Sequence, residues 1–380
     1  MKILVVSLLR LGDLIQQEPL LRGLRKKNPG AEIHVLINTQ LATAESLFAG
    51  VVDHFFYFDR ESLQRGLGEA NYNLLWSYTQ LEGLVAELSA QKYDQIFNFT
   101  HNKLSAYVIG AIQAQDKRGL FQQDGRFQGL DNRWLRYFND RFAGTQRSLF
   151  HYVELLGNAF AISTDRKAVE PRGKSKLVLF QCLTSDEKKN WGLAKFLQLK
   201  SAIEEALVDY KVCILGAPFE REKLAQLFGE SNLLVCGLSE AKEHLKKAAL
   251  LVTGDTSIKH LAAQLGTPVV ELALGSSDWT KTAAFSEGTR ILSGNAACAP
   301  CGHSVKCSQK SHLCADEISV DQVFAAVWDQ LSHGPQKQTL ETRDLERVVW
   351  SVYLDNKNAM DESVLANAAL ELVKKFGAEN

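Results

Sequence analysis

Three groups of residues in this chain have types and spacings that could do chemistry. The first is Gly254-Asp255-Thr256-Ser257, with His260 four residues after Thr256. An apolar run from Ala248 to Val252 leads into it. A helical pattern continues to Leu265, Gly266 ends it, and Pro268-Val269-Val270 opens another strand. Strand, tight turn, helix and strand make one βαβ unit. Such a turn presents free backbone N–H groups and the positive end of a helix dipole, which together suit an anion. Thr256 and Ser257 add hydroxyl donors, and His260 lies about one helical turn further along the same face. A diphosphate is the anion that set suits. The same residues also fit a plainer role, with Asp255 or Thr256 capping the helix and His260 packing on the sheet.

The second group is a series of turns that follow apolar strands. After Leu177–Cys182 comes Leu183-Thr184-Ser185-Asp186-Glu187-Lys188-Lys189-Asn190-Trp191. These hydroxyls, lysines and Trp191 sit together where a ligand of this half would lie, and hydroxyls at Thr184 and Ser185 with a cation at Lys189 suit phosphate; a solvated charged loop is the alternative. The next turn, Gly216-Ala217-Pro218-Phe219-Glu220, carries a carboxylate that could accept from a ribose diol or simply start a helix. After the first strand, Gly12 allows close backbone approach and Asp13 stands at a helix start on the carboxyl edge of the sheet, where ligands bind in open α/β folds. Balancing the helix dipole is its other reading. No G-x-G-x-x-G and no G-x-x-x-x-G-K-[ST] occurs, which disfavours a dinucleotide oxidoreductase or a P-loop enzyme.

The third group is Cys298-x2-Cys301-x5-Cys307-x6-Cys314, with His303 and His312 interspersed. Four thiolates this close in sequence fit a tetrahedral structural zinc, or an iron–sulfur cluster. Free thiols and two disulfides are the alternatives. Clustering of four of the seven cysteines argues for a local site rather than a disulfide-laced secreted fold.

The elements that must position these groups alternate between strand and helix along most of the chain. Ile3–Leu8, Glu32–Ile37, Val51–Phe58 and Asp94–Phe99 read as strands, with helices at Leu14–Lys27 and Gln80–Gln91. Residues 115–150 are polar, aromatic and basic, and read as loops and short helices. The charged stretch Lys167–Lys176, with Pro171 and Gly173, reads as a linker. A second alternating series follows, and 343–376 reads as an amphipathic helical tail. A doubly wound α/β protein is expected, with domains at 1–166 and 177–333 and a helical tail at 334–380. The 43 basic and 44 acidic residues nearly cancel, so no large field points to nucleic acid. No eighteen-residue apolar window suits a membrane span, and the short apolar start reads as a buried strand rather than a signal peptide, so a cytoplasmic location is expected.

Taken together, Arg10-x-Gly12-Asp13, Lys189-x-Trp191, Gly216-x-Pro218-x-Glu220 and Asp255-Thr256-x-x-x-His260-Leu261-Ala262-Ala263 resemble family 9 glycosyltransferases, the ADP-heptose:lipopolysaccharide heptosyltransferases. Order and spacing match over about 1–330. The resemblance implies a GT-B fold, two Rossmann-like domains facing across a cleft. The first would take a lipid-linked glycan acceptor and the second a nucleotide-sugar donor, with ADP-heptose as the expected donor. It makes Asp13 the general base, Lys189 the cation near the donor phosphates, and Glu220 the ribose carboxylate. Gly12, Thr184, Ser185, Gly254, Asp255, Thr256, Ser257 and His260 complete the donor site. It implies inverting transfer without a catalytic cofactor, and peripheral contact with the cytoplasmic face of the inner membrane. Gly275-Ser276-Ser277-Asp278 falls where the family usually has Gly-Pro-Thr-Asp, and Ser257 stands where Gly is usual. A side chain at 257 narrows the approach of the diphosphate or adds a contact to it. A GT-B-like protein that binds a nucleotide sugar or a partner without turnover is the competing reading.

Overall fold

The computed structural model of the chain describes residues 1–65, 74–142, 147–170, 175–294 and 296–334, together with Arg347 and Leu354. Two compact units emerge. The first comprises Met1–Arg136 and Leu156–Asp165; the second comprises Tyr137–Leu155 and the chain from Arg166 onward. The sequence suggests one boundary, within 167–176. The structure also gives Tyr137–Leu155 to the second unit, because Ser148 N donates to Thr280 Oγ1 at 3.1 Å and His151 Nε2 lies 2.9 Å from the Ala283 carbonyl. Lys167 is not a free linker residue either, since it forms a parallel bridge with Ser286. Residues 171–174 of the expected linker lie outside the described residues, as does the expected helical tail apart from Arg347 and Leu354.

The first unit is built on five parallel strands: β1 (Lys2–Ser7), β2 (Glu32–Asn38), β3 (His54–Phe58), β4 (Tyr93–Asn98) and β5 (Ala114–Arg118). Their order is β3-β2-β1-β4-β5. Ile3 to Val6 are fully buried, as an apolar run must be when it lies between two strands under helices. The order reverses between β1 and β4, so the turns after these strands flank the switch point where open α/β sheets take ligands. The helix expected over Leu14–Lys27 is two helices, Leu11–Gln16 and Glu18–Lys27. Pro19 restarts it, sitting in the first turn, where its missing N–H costs no hydrogen bond. Within 115–150, read as loops and short helices, short helical segments do occur at Arg133–Tyr137 and Phe138–Phe142, but so do most of β5 and an antiparallel hairpin, β6 (Phe121–Gln123) and β7 (Arg126–Gln128). It turns on Asp124-Gly125, both at positive φ, a tight hairpin turn that Asp-Gly favours.

The second unit holds six parallel strands: β8 (Leu177–Gln181), β9 (Lys211–Gly216), β10 (Leu233–Val235), β11 (Leu250–Thr253), β12 (Val269–Ala273) and β13 (Thr289–Ser293). Their order, β10-β9-β8-β11-β12-β13, puts the switch point between β8 and β11. Val178, Phe180, Val252, Val270 and Leu272 form the core with Phe196 of the helix Leu193–Ala206 and Val323 and Val327 of the helix Val320–His333. β13 went unread in the sequence because Thr289-Arg290-Ile291-Leu292-Ser293 is a half-exposed edge strand with few apolar residues.

Candidate active site

In the first unit, Gly12 and Asp13 lie at the start of the helix Leu11–Gln16, directly after β1. The Asp13 carboxylate turns back to accept the Arg10 N–H at 3.3 Å. Two polar side chains fix the preceding turn from neighbouring strands. Thr100 Oγ1, just past β4, accepts the Leu8 N–H at 2.7 Å, and Asn38 at the end of β2 donates to the Leu9 carbonyl at 2.9 Å. Asn98 in turn accepts from the amides of Thr100 and His101, so the two turns at the switch point are tied to one framework. Asp13 remains partly exposed. Asn38, Asn98 and Thr100 carry no motif signal; only a polar residue ending an otherwise apolar strand marks them.

In the second unit, the turns after β8, β11 and β12 meet. Gly254 sits in a tight place: an added Cβ would stand 3.1 Å from Thr184 Cγ2 and 3.3 Å from the Lys189 carbonyl oxygen. Gly275, at φ +60°, passes so close to the Lys188 backbone that a Cβ would fall 2.1 Å from its carbonyl oxygen. Thr184 shapes its own turn, donating its backbone N–H to Asn190 Oδ1 at 2.8 Å and its hydroxyl to the Asp186 carbonyl at 2.7 Å. Ser185 is exposed on it. Trp191, expected beside the ligand, is instead core: its ring packs edge-on against Phe196 and its N–H donates to the Ile318 carbonyl.

The centre of this site is a run of buried charges. Lys189 Nζ is 3.0 Å from Asp255 Oδ2. Asp255 Oδ1 is 2.6 Å from Lys259 Nζ, and Lys259 Nζ is also 2.6 Å from Glu271 Oε1. Lys259 and Glu271 are wholly buried. Burial alone would raise the Asp255 pKa, but the ammonium groups of Lys259 and Lys189 more than offset it and hold the carboxyl well below the usual range. Burial likewise raises Glu271, and Lys259 offsets part of that rise.

Thr256 is the N-cap residue of the helix Ser257–Gln264, yet its side chain makes no capping hydrogen bond; its hydroxyl lies 3.4 Å from Thr253 Oγ1. Capping therefore does not account for Asp255 or Thr256, one engaged in ion pairs and the other turned to Thr253. Ser257 opens the helix itself. His260 is buried; burial first, then Lys259 beside it, keeps the imidazole neutral well below its usual range. Among the described residues His260 Nδ1, Ser276 Oγ and Ser277 Oγ are buried without a hydrogen-bond partner. Orphaned buried polar atoms cost about 1–3 kcal/mol each, so they point to a polar ligand at these turns. Glu220 accepts the Ala217 N–H at 2.8 Å, and burial raises its pKa. β9 pairs with β8 in parallel, so the turn after β9 lies beside that after β8.

The cysteine loop is attached to the same turns. Lys188 donates to the carbonyls of Gly302, His303 and Val305 at 2.7–2.8 Å, and its own carbonyl is 2.7 Å from His312 Nε2. Gly275 donates to Cys314 Sγ at 3.4 Å, and its carbonyl accepts from Cys301 N. All the cysteines are free thiols, with Cys298 and Cys307 exposed and Cys314 buried. Burial raises the Cys314 pKa, and the hydrogen bond from the Gly275 N–H offsets part of that rise. Among the described residues no group of three or more His, Cys, Asp or Glu side chains is arranged to hold a metal ion.

Two parallel α/β units, each with polar turns at its switch point, are the pair of Rossmann-like domains that make up a GT-B fold. A profile for glycosyltransferase family 9 (heptosyltransferase) matches residues 82–312, more than half of the 380-residue chain, and the chain belongs to that family. The match contains Lys189, Glu220 and Asp255 but starts after Asp13. Among solved structures the chain is similar to E. coli heptosyltransferase WaaC with ADP-2-deoxy-2-fluoro heptose, at 16% identity and a TM-score of 0.61 over 87% of this chain and all of that one. It is similar to a family 9 glycosyl transferase from Veillonella parvula at 19% identity and a TM-score of 0.64, covering 87% and 97%. It is also similar to E. coli ADP-heptose lps heptosyltransferase II at 18% identity and a TM-score of 0.57, covering 88% and 99%. At these identities the likeness establishes the shared GT-B fold. Comparison with curated protein sequences gave no match.

Proposed function

We propose that the chain is an inverting glycosyltransferase that moves heptose from ADP-heptose to a lipopolysaccharide core or a related surface glycan. The observation that carries this reading is the Lys189–Asp255 pair beside the start of the helix Ser257–Gln264, at the switch point of the second unit. A nucleoside diphosphate leaving group gathers negative charge as the sugar departs. Lys189 and the backbone N–H groups at Thr256 and Ser257 are fixed donors and stabilise that charge without reorganising. They supply countercharge from the chain itself, so the transfer proceeds without a metal. Gly254 lets the backbone approach the diphosphate, while Thr184, Ser185 and His260 line the same turns. Glu220 accepts from the ribose. Asp13, in the first unit, takes the proton of the acceptor hydroxyl as that oxygen bonds to the anomeric carbon on the face opposite the leaving group. No helix among the described residues is long and apolar enough to cross a membrane. Work on a lipid-linked acceptor is proposed to take place by peripheral contact at the cytoplasmic face of the inner membrane.

Cys298, Cys301, Cys307 and Cys314 are proposed to hold a structural zinc. Support comes from the all-thiol donor set and from the Gly275 amide already directed at Cys314 Sγ. Elemental analysis of protein purified without added metal should then find about one zinc per chain, and Cys301→Ser should lower both zinc content and melting temperature. Metal-free protein with an unchanged melting curve contradicts the site. Ser257 in place of glycine favours a second reading, a nucleotide-sugar binder without turnover. A screen of ADP-, UDP- and GDP-sugars that reads nucleotide release with and without lipid A–core acceptors separates the two: acceptor-dependent release supports transfer, and binding without release supports the binder.

A further inference from the structure

The Lys259–Glu271 pair is a buried ion pair that joins the helix after β11 to β12. Lys259 lies in the helix Ser257–Gln264 and Glu271 in the middle of β12, a strand that is otherwise Val269, Val270, Leu272 and Ala273. Neither side chain has any exposure. A buried ion pair is often replaceable by apolar residues at little or no cost in stability, so stability alone is a poor account of it. Its geometry offers a better one. Glu271 is fixed from both sides, accepting the Ala284 N–H at 3.0 Å through Oε2 and Lys259 Nζ through Oε1. Lys259 then binds Asp255 Oδ1, which leaves only Oδ2 for Lys189.

We infer that Lys259 and Glu271 are positioning residues that hold one oxygen of Asp255 so that Lys189 stays directed at the diphosphate rather than being neutralised by its own carboxylate. A carboxylate free to rotate can offer both oxygens to one ammonium group and draw it away from a ligand. With Lys259 occupying Oδ1, Asp255 steers Lys189 without absorbing its charge. Because Lys259 and Glu271 have opposite charges, removing both leaves the net charge of the site unchanged. Any loss of affinity then reports the placement of Lys189 and not a weaker field. The inference rests on Lys189 being the diphosphate cation.

Calorimetry on the full chain with ADP and UDP, and with adenosine and uridine as controls, tests it. Lys259→Met alone would strand Glu271 as an unpaired buried carboxylate. The variant used is therefore Lys259→Met/Glu271→Gln, in which the new amide side chain can still accept the Ala284 N–H. Affinity for the better diphosphate should fall about tenfold, as expected for one charge-assisted hydrogen bond, with nucleoside affinity unchanged. Adding Asp255→Asn to the double variant should restore diphosphate affinity, because an amide cannot neutralise Lys189. The same change in the wild-type background should help less. A merely structural pair predicts equal losses for nucleoside and diphosphate and no recovery in the triple variant; either result overturns the inference. Wild-type and double variant binding diphosphate equally overturns it alone. A wild-type chain that binds no nucleoside diphosphate overturns the proposed donor site and this inference together.

Discussion

Replacing Lys189 by Met removes one ammonium group and keeps an apolar stem of similar length. Breaking a buried ion pair usually costs about 3–5 kcal/mol, since the surviving charge is left unpaired. Here Asp255 keeps Lys259 at 2.6 Å, so most of that penalty is absent and the fold should survive with a modest drop in melting temperature. The ligand fares worse. A hydrogen bond to a charged group is worth about 1.5–3 kcal/mol, which corresponds to a roughly 10- to 150-fold loss in affinity. Loss of Lys189 also leaves Asp255 facing the diphosphate with one partner fewer, so the upper part of that range is expected. Calorimetric titration with ADP, repeated at low and high salt, measures the effect. Its size should shrink as screening weakens charge attraction, though only partly, because the Lys189 side chain is 9% exposed. An ADP affinity equal to the wild type in a folded variant would refute the role, and so would complete unfolding, which would make Lys189 a structural cation.

Other expectations are narrower. Ser257→Gly should tighten binding of the best donor if the side chain narrows the cradle; unchanged affinity for every donor tested removes the steric argument. Stability should fall with acid from about pH 6.5 downward. Burial, the largest cause in each case, lowers the pKa of His101 to about 4, that of His151 to about 3 and that of His260 well below the usual value. The unfolded chain therefore binds protons that the folded chain refuses, and each such group costs up to about 1.4 kcal/mol per pH unit between its unfolded and folded pKa values. His151 shows why: its Nδ1 receives the Val153 amide at 3.2 Å while Nε2 faces the Ala283 carbonyl, an arrangement that needs a neutral ring. A melting temperature that stays flat from about pH 7 to 4.5 would contradict this.

The sheet architecture was legible because its central strands are continuous apolar runs. Ile3–Val6, Val178–Phe180 and Leu250–Val252 are fully buried and could hardly be anything but central parallel strands. Edge elements were not. β5 and β13 mix charged and apolar residues, and only tertiary pairing makes them strands. The turns after β8, β9 and β11 were legible as turns, since glycine and hydroxyl residues follow each apolar run, while a solvated loop or a helix cap fitted the same residues. What could not be read was the partner of each group. Asp255 looked like a cap, and only the fold brings Lys189 and Lys259 to its two oxygens. Glu271 in an apolar strand and Lys259 on the inner face of a helix were the visible anomalies, and each called for a buried partner. Trp191, grouped with the ligand by sequence, belongs to the core because an indole beside a charged turn can point either way.

The most direct test compares wild type with Asp13→Asn, reading both nucleotide diphosphate release from ADP-heptose with a lipid A–core acceptor and ADP affinity. An amide keeps the shape of the carboxylate but cannot take a proton, and loss of a general base typically costs about 10²–10⁴ in rate. With Asp13 as the base, the wild type shows acceptor-dependent release, the variant loses rate by that order, and ADP affinity stays the same in both. Near-normal release by Asp13→Asn, or a wild type that binds ADP but never transfers, would contradict that role.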